Sequence, residues 1–142
     1  MYKKILLPID IDEPHSWQKT APVVAHLVGA DTEAHIVNVV PDFGTSLVGS
    51  FFPAGYEEKA IEEARRRLGA VVSEDAALSG LNAKLHIAHG NIYEEIIAAA
   101  NTLGADLIVM TAGRPELKDY LIGPNAARVM RHAGQSVFIV RD

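Results

Sequence analysis

Apolar residues recur along this chain in runs of two lengths. The short runs ILLPI (5–9), AHIVNVV (34–40), AKLHIAH (83–89), ADLIVM (105–110) and QSVFIV (135–140) are strand-sized and rich in Val, Ile and Leu. Between them lie helix-sized segments in which the apolar positions fall three or four apart. Residues 14–29, PHSWQKTAPVVAHLVG, set Trp17, Ala21, Val24, Ala25 and Val28 on one face and stop at Gly29. Pro22 inside that segment is expected to kink or delay its helix. Residues 55–78 carry Ala60, Ala64, Leu68, Val71 and Val72 against a face rich in Glu and Arg. A third helix begins at Asn91, an N-cap residue with Glu94 three positions on, and stops at Gly104. A fourth runs from about Pro124 to His132.

Strand and helix therefore alternate from the first run to the last. Such alternation predicts an α/β fold, a mostly parallel sheet with helices on both faces, because right-handed crossovers return each helix over the sheet. The first, third and fourth strands read as nearly continuous in apolar residues, the pattern of strands buried on both faces. In open sheets of this kind, ligands bind beyond the carboxyl ends of the strands, near the point where strand order reverses. That edge comprises Pro8 to Asp10, Asn38 to Pro41, His89 to Asn91 and Met110 to Gly113, with the start of the fourth helix beside it.

Composition narrows the chemistry. The 142 residues, 49% of them hydrophobic, suit one domain spanning 1–142 with a real core. A net charge of -5 supplies no basic field for nucleic acid or an anionic membrane, so a small polyanion would need local donors. With no cysteine there is no disulfide framework, thiolate zinc site or Cys nucleophile. The start, MYKKILLPID, has too few apolar residues for a signal peptide core or a membrane span, and a cytoplasmic protein is the simple reading. Histidines 86 and 89 are three apart in a strand and point to opposite faces, a poor chelating pair, while His132 suits a helix C-terminus. Neither a G-x-S-x-G elbow nor the phosphate-loop lysine signature occurs. The paired acids Glu57 with Glu58 and Glu62 with Glu63 read as a solvated helix face. The loop 41–54, PDFGTSLVGSFFPA, is long for a compact α/β unit, and its phenylalanines suit a lid, a partner contact or a fold back onto the domain.

The stretch MTAGRPELKDYLIGPNA (110–126) sets Gly113 and Gly123 between a strand and a helix, where glycine lets backbone approach a phosphate. Together with a first strand ending in PID, the run ADLIVM, the helix NAARVMRHA and the final strand QSVFIVR, it resembles the universal stress protein family over essentially the whole chain. The resemblance implies a five-stranded parallel sheet, flavodoxin-like or Rossmann-like, and a stress-response regulatory protein that binds ATP or AMP, with or without Mg2+. It implies slow ATP turnover at most, and no general base for hydrolysis stands out in the sequence. Nucleotide-binding members carry a loop of Gly, two residues, Gly, nine residues, Gly, then Ser or Thr. That pattern falls here on Met110, Gly113, Gly123 and Pro124, keeping the nine-residue spacing. Met110 sets a side chain near the pocket, and Pro124 removes a hydroxyl and an N–H. The donors implied to remain are the N–H groups of Asn125 and Ala126 and the Asn125 side chain, with Arg114 and Lys118 adding charge. By the same resemblance Pro8, Ile9 and Asp10 hold adenine and ribose, and the Val39 backbone reads the adenine edge. Asp10 can accept from ribose hydroxyls, or serve as a turn or cap residue. Two functions follow as alternatives, a nucleotide-binding regulator and a dimeric interaction module without nucleotide; the kept glycine spacing favours the first, and Met110 and Pro124 favour the second. Either way the family implies a homodimer through the C-terminal strand.

Overall fold

A computed structural model describes residues 1–41, 55–112 and 125–141. In chain order its elements are β1 (Lys4–Pro8), α1 (His15–Gln18), α2 (Thr20–Leu27), β2 (Glu33–Pro41), α3 (Tyr56–Glu74), α4 (Ala76–Ser79), β3 (Lys84–Gly90), α5 (Ile92–Leu103), β4 (Leu107–Thr111), α6 (Ala126–His132) and β5 (Ser136–Val140). The strands form one five-stranded sheet in the order β3-β2-β1-β4-β5, every pair parallel.

Strand alternation divides the core into two layers. Ile5, Leu7 and Ile9 pack with Trp17, Ala21, Val24 and Leu68 on one side of the sheet, while Leu6 packs with Ile96, Ala100 and Val129 on the other. Burying each large aliphatic side chain contributes about 1.5–3 kcal/mol, so central strand β1 is the most heavily invested part of the chain. Its start is fixed by Asp106, whose carboxylate accepts from the backbone N–H groups of Lys3 and Lys4 at 3.0 Å each.

Helix ends follow local chemistry. The Asn91 side chain caps α5 by accepting from the Glu94 N–H at 3.3 Å, and Gly104 closes that helix in the left-handed conformation at φ +73°. The segment 14–29 is two helices broken at Lys19, with Pro22 in the first turn of α2, where a missing N–H costs no helical bond. This break turns Ala25, expected on the buried face, out to solvent. The segment 55–78 also divides, at Asp75, because that carboxylate has other partners: one oxygen accepts from the Trp17 indole N–H at 2.9 Å and the other caps α4 through the Leu78 N–H at 3.0 Å.

One strand departs from expectation. β3 is a sheet edge, with no fully buried residue along it, so the reading that it is covered on both faces was wrong. β1 and β4 do have that burial, and so does β2, which carries His35 and Asn38 inside with its aliphatic residues. β5 is the other edge, and Phe138 on it is exposed. Among the described residues no helix is long and apolar enough to cross a membrane.

Candidate functional site

Strand order reverses beside β1, which has β2 on one side and β4 on the other. The chain leaves β1 through a tight turn. Ile9 N–H still reaches the Val37 carbonyl at 2.9 Å, after which the Asp10 carboxylate accepts from Asp12 N–H at 2.9 Å. Ser16 Oγ accepts from Asp10 N–H at 2.9 Å, and the Asn38 side chain accepts from Ile11 N–H at 3.3 Å. Asp10, Ser16 and Asn38 are all buried, so this corner is fixed by a satisfied polar network.

Beside that corner lies a slot of about 210 Å3 between the carboxyl ends of β1 and β2 and the face of α3. Asp10, Ile11 and Asp12 form one wall, and Asn38 to Pro41 form another. The third wall is a stripe of α3, Tyr56, Ala60, Ala64 and Arg67, whose offsets of four, eight and eleven put them on one helix face. The two alanines leave a flat apolar gap. Arg67 donates through Nη2 to the Asp12 carboxylate, tying α3 to the turn after β1.

Register decides what Val39 offers. Its side chain packs into the far layer with Val37, Ile108 and Met110, leaving main chain on the slot side. The Val37 carbonyl points toward β1, because it accepts from Ile9. Two residues on, the N–H and C=O of Val39 point the same way, past Pro8, the last β1 residue in the ladder. A donor and an acceptor thus stand side by side at the sheet edge.

The other expected residues lie in several places. Pro8 and Ile9 are buried in and just beyond β1, with Ile9 in the core. Met110 is fully buried, and its side chain fills the far layer rather than the slot. Asn125 precedes α6 without capping it, and Ala126 is buried at the first position of α6. Gly113, Arg114, Lys118, Gly123 and Pro124 lie outside the described residues, as does the loop beyond Pro41. The sequence reading passed over Asp12, Tyr56 and Arg67. A signal for the last two existed in their helical spacing with Ala60 and Ala64.

A second polar cluster sits on the α5 side of the sheet. His35 Nδ1 and His86 Nε2 are 2.9 Å apart and their rings stack with centroids at 5.1 Å. One nitrogen must donate and the other accept. Burial holds both imidazoles below their ordinary pKa, reinforced at His35 by the neighbouring His86. Glu33 is 3.8 Å from His35 Nε2, and its hydrogen bond from Lys84 lowers its own pKa. Among the described residues no group of three metal-type side chains converges.

Comparison with known proteins agrees with this architecture. A family model described as the universal stress protein family matches residues 1–141. Universal stress protein G of Shigella flexneri is 33% identical over 144 residues, covering 99% of this chain and 100% of the relative. The Salmonella typhimurium protein of the same name is 28% identical over 143 residues, with the same coverage. Among solved structures, hypothetical protein MJ0577 superposes with a TM-score of 0.68 at 27% identity, covering 100% of this chain and 97% of that one. A universal stress protein in complex with cAMP shares the fold, with a TM-score of 0.59 at 18% identity over 99% and 97% of the two chains.

Proposed function

The chain belongs to the universal stress protein family, and from that premise we propose that it is a stress-response regulator binding an adenine nucleotide at the carboxyl edge of its sheet. The observation that carries this reading is the slot itself, where the Val39 main chain and Asp10 face one apolar gap. Adenine presents an N–H donor beside a ring-nitrogen acceptor, complementary to one backbone C=O and one N–H. Asp10, at the end of β1, is the ribose acceptor in this reading, its turn geometry holding the carboxylate in place. Ribose and phosphates then run toward the β1–β4 crevice. The chain segment with Gly113, Arg114 and Gly123 follows β4 and is assigned the phosphates by its spacing. The cAMP complex of a family relative supports an adenine nucleotide as the ligand class.

ATP and AMP share the base that this slot would hold, and Mg2+ would be carried by the phosphates. The protein acts by occupancy, with at most slow turnover, in a cytoplasmic setting. It works as a homodimer through β5, an edge strand of the sheet among the described residues. The test is direct. Purified protein is denatured and its filtrate read for adenine absorbance, and nucleotide-free protein is titrated with ATP and AMP by calorimetry. Bound adenine nucleotide, or saturable heat with either ligand, is expected. No copurified nucleotide together with no heat would refute the reading and leave the interaction-module alternative, which the exposed edge with Phe138 favours.

A further inference from the structure

Arg67 is not among the residues assigned above to base, ribose or phosphates. It stands on α3 at the end of the Tyr56–Ala60–Ala64 stripe, at the wall of the slot, and its guanidinium is held by Asp12. The charged residues around the slot, among those described, are Asp10, Asp12 and Arg67. Two carboxylates and one arginine already neutralised by a carboxylate make a poor seat for a phosphate, whose charge Asp10 and Asp12 would repel. A neutral, flat group suits this place better.

We infer that Arg67, paired with Asp12, is the residue that selects a purine base, by stacking its guanidinium plane on the ring. A guanidinium whose N–H edge is engaged by a carboxylate keeps its planar faces for stacking. Ala60 and Ala64 stand opposite the strand ends with small side chains, and Arg67 lines the slot on the same helix face. A purine offers two fused rings to stack on the guanidinium plane. A pyrimidine offers less ring area to that plane. Selectivity for the base therefore comes from α3, whereas affinity for the ribose and phosphates comes from other elements.

The inference rests on the nucleotide reading above, and one experiment separates the two. ATP and CTP share ribose and triphosphate, so the ratio of their affinities reports the base alone. Calorimetric titration of wild type, Arg67→Ala and Arg67→Lys with both nucleotides is the measurement. Wild type should prefer ATP, Arg67→Ala should weaken ATP by about tenfold with CTP little changed, and the ratio should collapse. Arg67→Lys keeps the charge and the pairing with Asp12 but lacks the plane, so it should behave like the alanine variant. A merely structural Arg67 would lower both affinities together or be rescued by lysine, and either result overturns the inference while leaving the nucleotide reading intact. A wild type that binds ATP and CTP equally also overturns it. Wild type binding neither nucleotide overturns the nucleotide reading and this inference with it. Because Arg67 is partly exposed, both variants should keep the wild-type melting temperature within a few degrees.

Discussion

His35 is buried against His86, and their hydrogen bond survives only while at least one facing nitrogen is unprotonated. Both folded-state pKa values lie below the ordinary 6.5, so just under pH 6.5 the unfolded chain binds more protons than the folded one. The stabilisation is complete above that pH and is lost as the pH falls through the folded-state values. The groups facing the pair are Glu33, Lys84 and Lys4 from the strands and Glu95 from α5, of which Glu33 favours and the lysines oppose protonation of His35. Urea midpoints at about pH 7.5 and about pH 5.5 should show the lower value in acid, and the double variant His35→Leu with His86→Leu should flatten that difference. Equal pH sensitivity in variant and wild type would rule the pair out as a cause. The core makes a simpler demand. Ile96 is fully buried on the inner face of α5, and Ile96→Ala should cost about 2–5 kcal/mol by the same denaturation assay.

Among the elements, glycine has opposite meanings at two helical positions. Gly104 ends α5 at φ +73° and an added Cβ would meet only Lys4 Nζ at 3.8 Å, so conformation rather than space opposes a side chain there. Gly104→Ala should destabilise by about 1–2 kcal/mol. Gly69 sits inside α3 with nothing within 4 Å of its missing Cβ, and Gly69→Ala should stabilise by about 0.5–1 kcal/mol. Matching signs in thermal unfolding would contradict the assignment of one helix end and one helix interior. The end of α5 was legible in the sequence because Asn91, Glu94 and Gly104 are local signals, and the strands were legible because short apolar runs have few other uses. The split at Asp75 was not, since it depends on Trp17, distant in sequence. Exposure of β3 depends on which strand takes the edge, and the His35–His86 pair depends on register between strands. At the site, the strand ends that carry Asp10 and Val39 were legible because the apolar runs stop there, while the roles proposed for these residues came from the family resemblance. Arg67 was hidden in a charged helix face that reads as solvated until the approach of α3 to β1 and β2 is known.

For the whole molecule, the proposed dimer contact and the proposed nucleotide slot use different edges of the same sheet. In β5 the Val140 carbonyl accepts from Ala112 N–H, so Val140 and Phe138 direct their backbone groups to β4, while Val137 and Ile139 direct theirs outward. Ile139→Pro should therefore remove an outward donor and dissociate a homodimer with the fold retained, whereas Phe138→Pro should destabilise the β4–β5 ladder itself. Light scattering with circular dichroism distinguishes these outcomes; a wild type that is monomeric at tens of micromolar would remove the β5 contact from the account. The central claim is that the slot between β1, β2 and α3 holds the base of an adenine nucleotide, and amide resonances test it most directly. On titration with ATP, the Val39 N–H should shift strongly, with Ile11 and Asp12 beside it, while the amides of β5 and the Gly104 end of α5 stay in place. Saturable ATP binding that leaves Val39, Ile11 and Asp12 unmoved would put the nucleotide elsewhere and contradict the account.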